Sequence, residues 1–163
     1  MASLANGIPK MKSCTVSVSL GLLFLALVGT PAAPSHAAGS QSPLGLWKTF
    51  DDKSGKPRSL VRIYLQDGRY YGRIEQSFTP DAETRVCSAC ADERKNQPIL
   101  GLLIIRNMAL RDADYGGGDI LDPESGSIYR CKFHLEKDGT VLVVRGFIGL
   151  SLFGHSQTWR RQR

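Results

Sequence analysis

Two regimes of hydrophobic patterning divide the chain. Residues 14–29 carry no charge and 20–28 are almost wholly apolar, while the segment ahead of them holds Lys10 and Lys12 and no acid. A basic lead followed by a short apolar run is the pattern of a secretory signal. Pro31 and Pro34 then end any helix. Ser35-His36-Ala37 puts small residues at the two positions a signal peptidase reads, so cleavage is expected after Ala37. The apolar run is short against the roughly 20 residues that a bilayer span needs, so no stable membrane insertion of the mature chain is expected. Cys14 precedes the apolar core and is misplaced for lipidation.

Beyond a flexible lead, 38–43, the pattern changes to short runs rich in Val, Ile, Tyr, Phe and Trp, broken by Gly, Pro, Asn and Asp. This is the rhythm of strands and turns, and no window has a helical period. The runs place about eight strands at 44–50, 59–65, 69–77, 100–106, 115–121, 127–136, 140–148 and 155–161. Asp67-Gly68 and Asp138-Gly139 are two-residue hairpin signals, able to take the positive backbone angles such turns demand. Asp122-Pro123-Glu124-Ser125-Gly126 is a longer turn of the same kind. Strands two and three, five and six, and six and seven are therefore expected to pair antiparallel. Period-two alternation sets Val61, Ile63 and Leu65 against Leu60, Arg62 and Tyr64. The meander order favours a closed up-and-down barrel over a sandwich, because closure removes exposed edges. The expected fold is a single all-β antiparallel barrel domain over 44–163.

Composition sharpens this only a little. Loss of residues 1–37 leaves about 126 residues, enough for one core, and lowers the formal charge of +6 to about +4 by removing Lys10 and Lys12. The basic residues are dispersed except for Arg160, Arg161 and Arg163, with no aromatic interleaving, so no nucleic-acid partner is expected.

Gly45-Leu46-Trp47 opens the first strand and Gln157-Thr158-Trp159-Arg160 closes the last. This resembles the lipocalin and wider calycin signature. The resemblance implies that Trp47 closes one end of the barrel, with Arg160 stacked over the indole. More broadly, residues 45–160 resemble a bacterial exported family known as domain of unknown function 2147. The blocks that carry this are Gly45-Leu46-Trp47, Ser59-Leu60-Val61-Arg62-Ile63, Tyr71-Gly72-Arg73-Ile74, Cys87-Ser88-Ala89-Cys90, Pro98-Ile99-Leu100-Gly101-Leu102, Gly117-Gly118-Asp119-Ile120-Leu121-Asp122-Pro123, Gly126-Ser127-Ile128-Tyr129-Arg130-Cys131, Val144-Arg145-Gly146-Phe147-Ile148-Gly149 and Phe153-Gly154-His155-Ser156-Gln157-Thr158-Trp159. Tyr115 departs from the family pattern, which favours Trp there. The resemblance implies a calycin-like barrel and an envelope location, periplasmic or secreted, and no particular activity.

Candidate chemistry is sparse. Cys87 and Cys90 lie in a polar loop, and export makes a local disulfide the first reading. Zinc is the second, with Cys131 and His134 or His155 completing the set. Thiol-redox chemistry is the third, although no helix follows Cys87 to lower its pKa. Cys131, the odd cysteine, shares a face with Tyr129 and Phe133 and reads as a buried thiol in preference to the partner of one loop cysteine. No spacing supports a hydrolytic triad, so no catalytic residue is assigned and an enzyme is not expected. Asp112, Asp114, Asp119, Asp122 and Glu124 gather around Gly116-Gly117-Gly118 without the alternation of a calcium hand. No cofactor and no resident metal are assigned. Leu150, Leu152 and Phe153 form an apolar stretch between Gly149 and Gly154, a candidate barrel mouth for an apolar ligand or a membrane surface. A barrel of eight strands either encloses one small ligand or is filled by its own side chains. Tyr64, Tyr70, Tyr71, Tyr129, Phe133 and Phe147 are bulky enough to fill it.

Overall fold

The computed structural model describes residues 42–163. The expected signal peptide, and most of the lead after it, lie outside the described residues. Eight strands follow in order: β1 (Gly45–Phe50), β2 (Pro57–Gln66), β3 (Arg69–Ser77), β4 (Leu103–Arg111), β5 (Asp114–Leu121), β6 (Ile128–Glu136), β7 (Val141–Phe147) and β8 (Gly154–Gln162). Each pairs antiparallel with its neighbour in sequence, and β8 returns to β1, giving a closed up-and-down barrel. Closure satisfies both edges of every strand.

The three expected hairpins form. Asp67 and Gly68, both at positive φ, are bracketed by the Gln66–Arg69 pair as a two-residue turn. The β6–β7 turn is wider than expected: the last pair is Glu136–Val141, so Lys137 to Thr140 all lie in the loop. Thr140 closes it by donating its backbone N–H and its hydroxyl to the Lys137 carbonyl.

The largest departure is β4, expected at 100–106 and found at 103–111. Gly101 at φ 86° turns the chain before the strand begins, and Asn107 at φ 58° absorbs an irregularity that lets the pairing continue. The glycines Gly116 to Gly118 lie inside β5, at a register shift against β6, and do not form a loop. Gly118 packs so closely on β4 that a Cβ would run into the Arg106 carbonyl oxygen.

Alternation sorts the bulky aromatics. Tyr64 and Tyr71 stack on the outer surface, with the Tyr71 hydroxyl donating to Asn107 Oδ1 at 2.8 Å. Tyr70, one residue away and so on the other face, meets Tyr115 edge-on at 4.9 Å, and Tyr115 stacks on Phe133 at 5.0 Å. With Trp47, Ile63 and Met108, all buried, these fill the end of the barrel where β2 ends and β3 begins. The opposite end is not filled.

Candidate ligand site

A cavity of about 560 Å³ opens at the end of the barrel where β3, β5 and β7 finish and β4, β6 and β8 begin. The strands supply an apolar wall of Ile74, Ile104, Ile120, Leu121 and Val144, joined by Trp159 of β8. Tyr129 and Phe147 stand at its sides. Ile99 comes from the long β3–β4 connection, and Ile148 and Phe153 come from the β7–β8 loop at the rim.

Polar groups enter at three places. Thr49 on β1 and Ser59 on β2, both buried, share a hydroxyl–hydroxyl hydrogen bond of 2.8 Å, and Ser59 N–H donates to Thr49 Oγ1. On β8 a chain starts from the buried Trp159 indole N–H, which donates to Gln157 Oε1 at 3.2 Å. The Gln157 amide donates in turn to Asp52 Oδ2 at 2.7 Å, and His155 Nε2 lies 3.0 Å from the same oxygen. At the rim Arg58 pairs with Glu124 at 2.8 Å and lies within 4.0 Å of Asp122. Arg85 donates to Thr79 Oγ1 at 3.0 Å. Among the described residues no buried side-chain polar atom lacks a partner, so the wall is a settled structure before anything binds.

Cys87 and Cys90 are joined to each other with Cα atoms 5.4 Å apart, and both are buried. The disulfide loop packs on the β5–β6 turn so tightly that a Cβ on Gly126 would strike the Ala89 carbonyl oxygen. This contact sets the position of the segment that brings Arg85 and Ile99 to the cavity. The bonded sulfurs offer no thiolate pair for zinc, and their burial keeps them from the exchange partner that the redox reading needs. Among the described residues, no three His, Cys, Asp or Glu side chains are gathered as a metal site. Cys131 is buried and burial pushes its thiol up to about 12, the character of an inert core thiol. His134 sits outside on β6, 3.1 Å from Glu136. Of the acids around β5, Asp119 is held by Arg106 at 3.0 Å and Glu124 by Arg58 at 2.8 Å, while Asp112 and Asp114 make no ion pair among the described residues.

One residue assignment needs correction. The guanidinium over Trp47 belongs to Arg161, at 4.2 Å from the ring centroid, while Arg160 lies over Phe50 at 5.6 Å. Trp159 faces inward, so its i+2 neighbour Arg161 shares the interior and Arg160 points out. Of the three mouth candidates, Phe153 lines the cavity, whereas Leu150 and Leu152 project from the loop without facing it. Sequence reasoning missed Thr49, Ser59, Asp52, Arg58 and Arg85. Only Gln157 left a legible trace, since His155, Gln157 and Trp159 alternate on one face of β8.

A closed eight-stranded barrel, sealed at one end by a Trp–Arg pair and hollow at the other, is the architecture of a lipocalin-like protein. The sequence from 45 to 161 matches the family described as "Uncharacterized protein conserved in bacteria (DUF2147)", and the chain belongs to that family. Among solved structures the barrel is similar to protein HP1028 from the human pathogen Helicobacter pylori, reported to belong to the lipocalin family. The TM-score is 0.65 at 16% identity, over 75% of this chain and 84% of that one. No curated protein matches the sequence.

Proposed function

We propose that this is an exported binding protein, periplasmic or secreted, that holds one small, largely apolar molecule in the open half of its barrel and catalyses no reaction. The observation that carries the reading is the cavity. Its volume of about 560 Å³ falls within the roughly 300–1,000 Å³ typical of small-molecule sites, which are apolar with a few placed polar groups. The Thr49–Ser59 hydroxyl pair and the Trp159–Gln157–Asp52 chain are the groups that would orient a ligand's polar atoms. Export is supported by Lys10, Lys12, the apolar run at 20–28 and Ser35-His36-Ala37. The Cys87–Cys90 bond agrees with it, since disulfides persist in oxidising compartments.

The test is the mass of the protein taken from its native compartment without reductant, first under native and then under denaturing conditions. A non-covalent adduct lost on denaturation supports the carrier reading. A bare chain that also fails to take up an apolar fluorescent probe such as 1-anilinonaphthalene-8-sulfonate points instead to a structural barrel of the envelope.

A further inference from the structure

The β7–β8 loop carries the most exposed large apolar side chains among the described residues: Ile148 at 69%, Leu150 at 72%, Leu152 at 78% and Phe153 at 70% exposure. A contiguous apolar patch held in water marks an interaction site. The loop is also built rather than slack. Arg145 on β7 donates from Nε to the Ser151 carbonyl at 2.8 Å and from Nη2 to the Leu152 carbonyl at 3.0 Å. Arg130 on β6 lies across the Phe147 ring at 5.7 Å and reaches the Gly149 carbonyl at 3.5 Å. Two guanidiniums therefore prop the tip away from the barrel wall.

Cations without counterions sit directly beneath that tip. The register puts Arg130 opposite Phe147 and Lys132 opposite Arg145, in adjacent rows of the same sheet face. None of Arg130, Lys132 and Arg145 has a carboxylate partner among the described residues. Asp119, opposite Arg130 on β5, is taken up by Arg106 at 3.0 Å, and the next acid along β6, Glu136, is paired with His134 farther from the loop. An apolar tip above a collar of unpaired positive charge is complementary to one kind of surface, a bilayer with anionic headgroups: the side chains enter the acyl boundary while the cations meet the phosphates. A tip that projects outward is also the wrong shape for a groove-binding peptide, which needs a concavity to receive it.

The geometry points to the β7–β8 loop as a membrane-docking element that seats the open end of the barrel on an anionic lipid surface. Ile148 and Phe153 belong both to this loop and to the cavity rim, so docking would hold the cavity mouth at the bilayer. The docking itself does not depend on what the cavity holds, and the two readings can fail separately.

The test is co-sedimentation of the purified protein, as its host processes it, with vesicles of phosphatidylcholine alone and of phosphatidylcholine mixed with phosphatidylglycerol. Binding is expected to the mixed vesicles and to be weak on phosphatidylcholine. The double variant Leu150→Ser, Leu152→Ser, at two exposed tip residues that do not line the cavity, is expected to lower it about tenfold or more, with the thermal midpoint unchanged because neither side chain packs in the core. Lys132→Gln is expected to lower binding by about fivefold, the effect of one cation near an anionic surface, and added salt to lower it further. A failure to sediment with either vesicle overturns the inference, as does sedimentation that the loop variant leaves unchanged. So does a concentration-dependent dimer that the same variant abolishes, which would assign the tip to self-association. Loss of vesicle binding by the loop variant, with its adduct mass retained, separates docking from ligand carriage.

Discussion

The guanidinium of Arg161 lies 4.2 Å from the centroid of the Trp47 ring, and its nitrogens donate to three backbone carbonyls: Gly139 at 2.6 Å, Leu44 at 2.6 Å and Ser42 at 2.7 Å. One side chain thus ties the start of β1, the end of β8 and the β6–β7 turn together. Trp47 adds a further tie, donating its indole N–H to the Pro43 carbonyl at 2.8 Å.

Arg161→Ala removes this fork together with the cation–π contact and is expected to destabilise the barrel by about 3 kcal/mol. Arg160→Ala, which loses only an outer contact with Phe50, is expected to cost less than about 1 kcal/mol. Urea unfolding of the two variants side by side decides which arginine closes the barrel, and equal midpoints would reverse the assignment.

Replacing Cys87 and Cys90 together by Ser opens a very short loop, so the expected loss is only about 2 kcal/mol. The larger consequence is local. Hydrogen exchange in the segment containing Arg85 and Ile99 is expected to rise, while exchange in β6 and β7 stays as it was.

Gly126→Ala and Gly68→Ala both place a side chain at positive φ, 72° and 73° respectively, but only Gly126 has the Ala89 carbonyl in the way. The Gly68 variant is expected to lose about 1 kcal/mol from backbone strain alone. The Gly126 variant is expected to lose about 3 kcal/mol or more, strain and overpacking combined. Thermal melts that place both variants together would show that the disulfide loop does not bear on the β5–β6 turn.

Val144→Phe projects a ring into the cavity from a buried inward position on β7. Because the space is open, the fold is expected to tolerate it within about 1.5 kcal/mol, while uptake of 1-anilinonaphthalene-8-sulfonate falls away. Undiminished uptake would place the probe elsewhere on the molecule.

Stability is expected to fall at acid pH through a particular carboxylate. Hydrogen bonds from Arg94 hold the Asp92 carboxyl at about 2, below its ordinary 3.8, and Arg106 adds to the effect. A depressed folded-state value means that this contribution is fully present above about pH 4 and is lost as pH falls from there toward 2. Asp51 and Glu75, also lowered by their hydrogen-bond partners Ser54 and Arg62, act in the same direction. Asp92→Asn is expected to flatten the acid limb of a stability–pH curve, and an unchanged slope would remove Asp92 from the account.

The sequence alone was enough for seven of the eight strands within about two residues, the antiparallel hairpins and the single closed barrel, because period-two alternation and Asp-Gly turns act over a few residues; β4 was displaced by the turn at Gly101 and the irregularity at Asn107. It was also enough to suggest the Cys87–Cys90 bond, since three residues of separation and the patterning that leads one to expect export are both local. What only the tertiary structure decided depends on which face of each strand turns inward and on what meets it from elsewhere in the chain. Tyr70 and Tyr71 are alike in composition, yet closure sends one into the filled end and the other to the surface. Arg160 and Arg161 divide in the same way. The polar chain joins Gln157 to Asp52 across 105 residues, a separation no local pattern reports. The cavity is likewise a property of packing: Trp47, Tyr70, Tyr115 and Phe133 gather at one end of the barrel, while at the other the Ile, Leu and Val side chains are too short to meet across it and Trp159, Tyr129 and Phe147 stand along its walls.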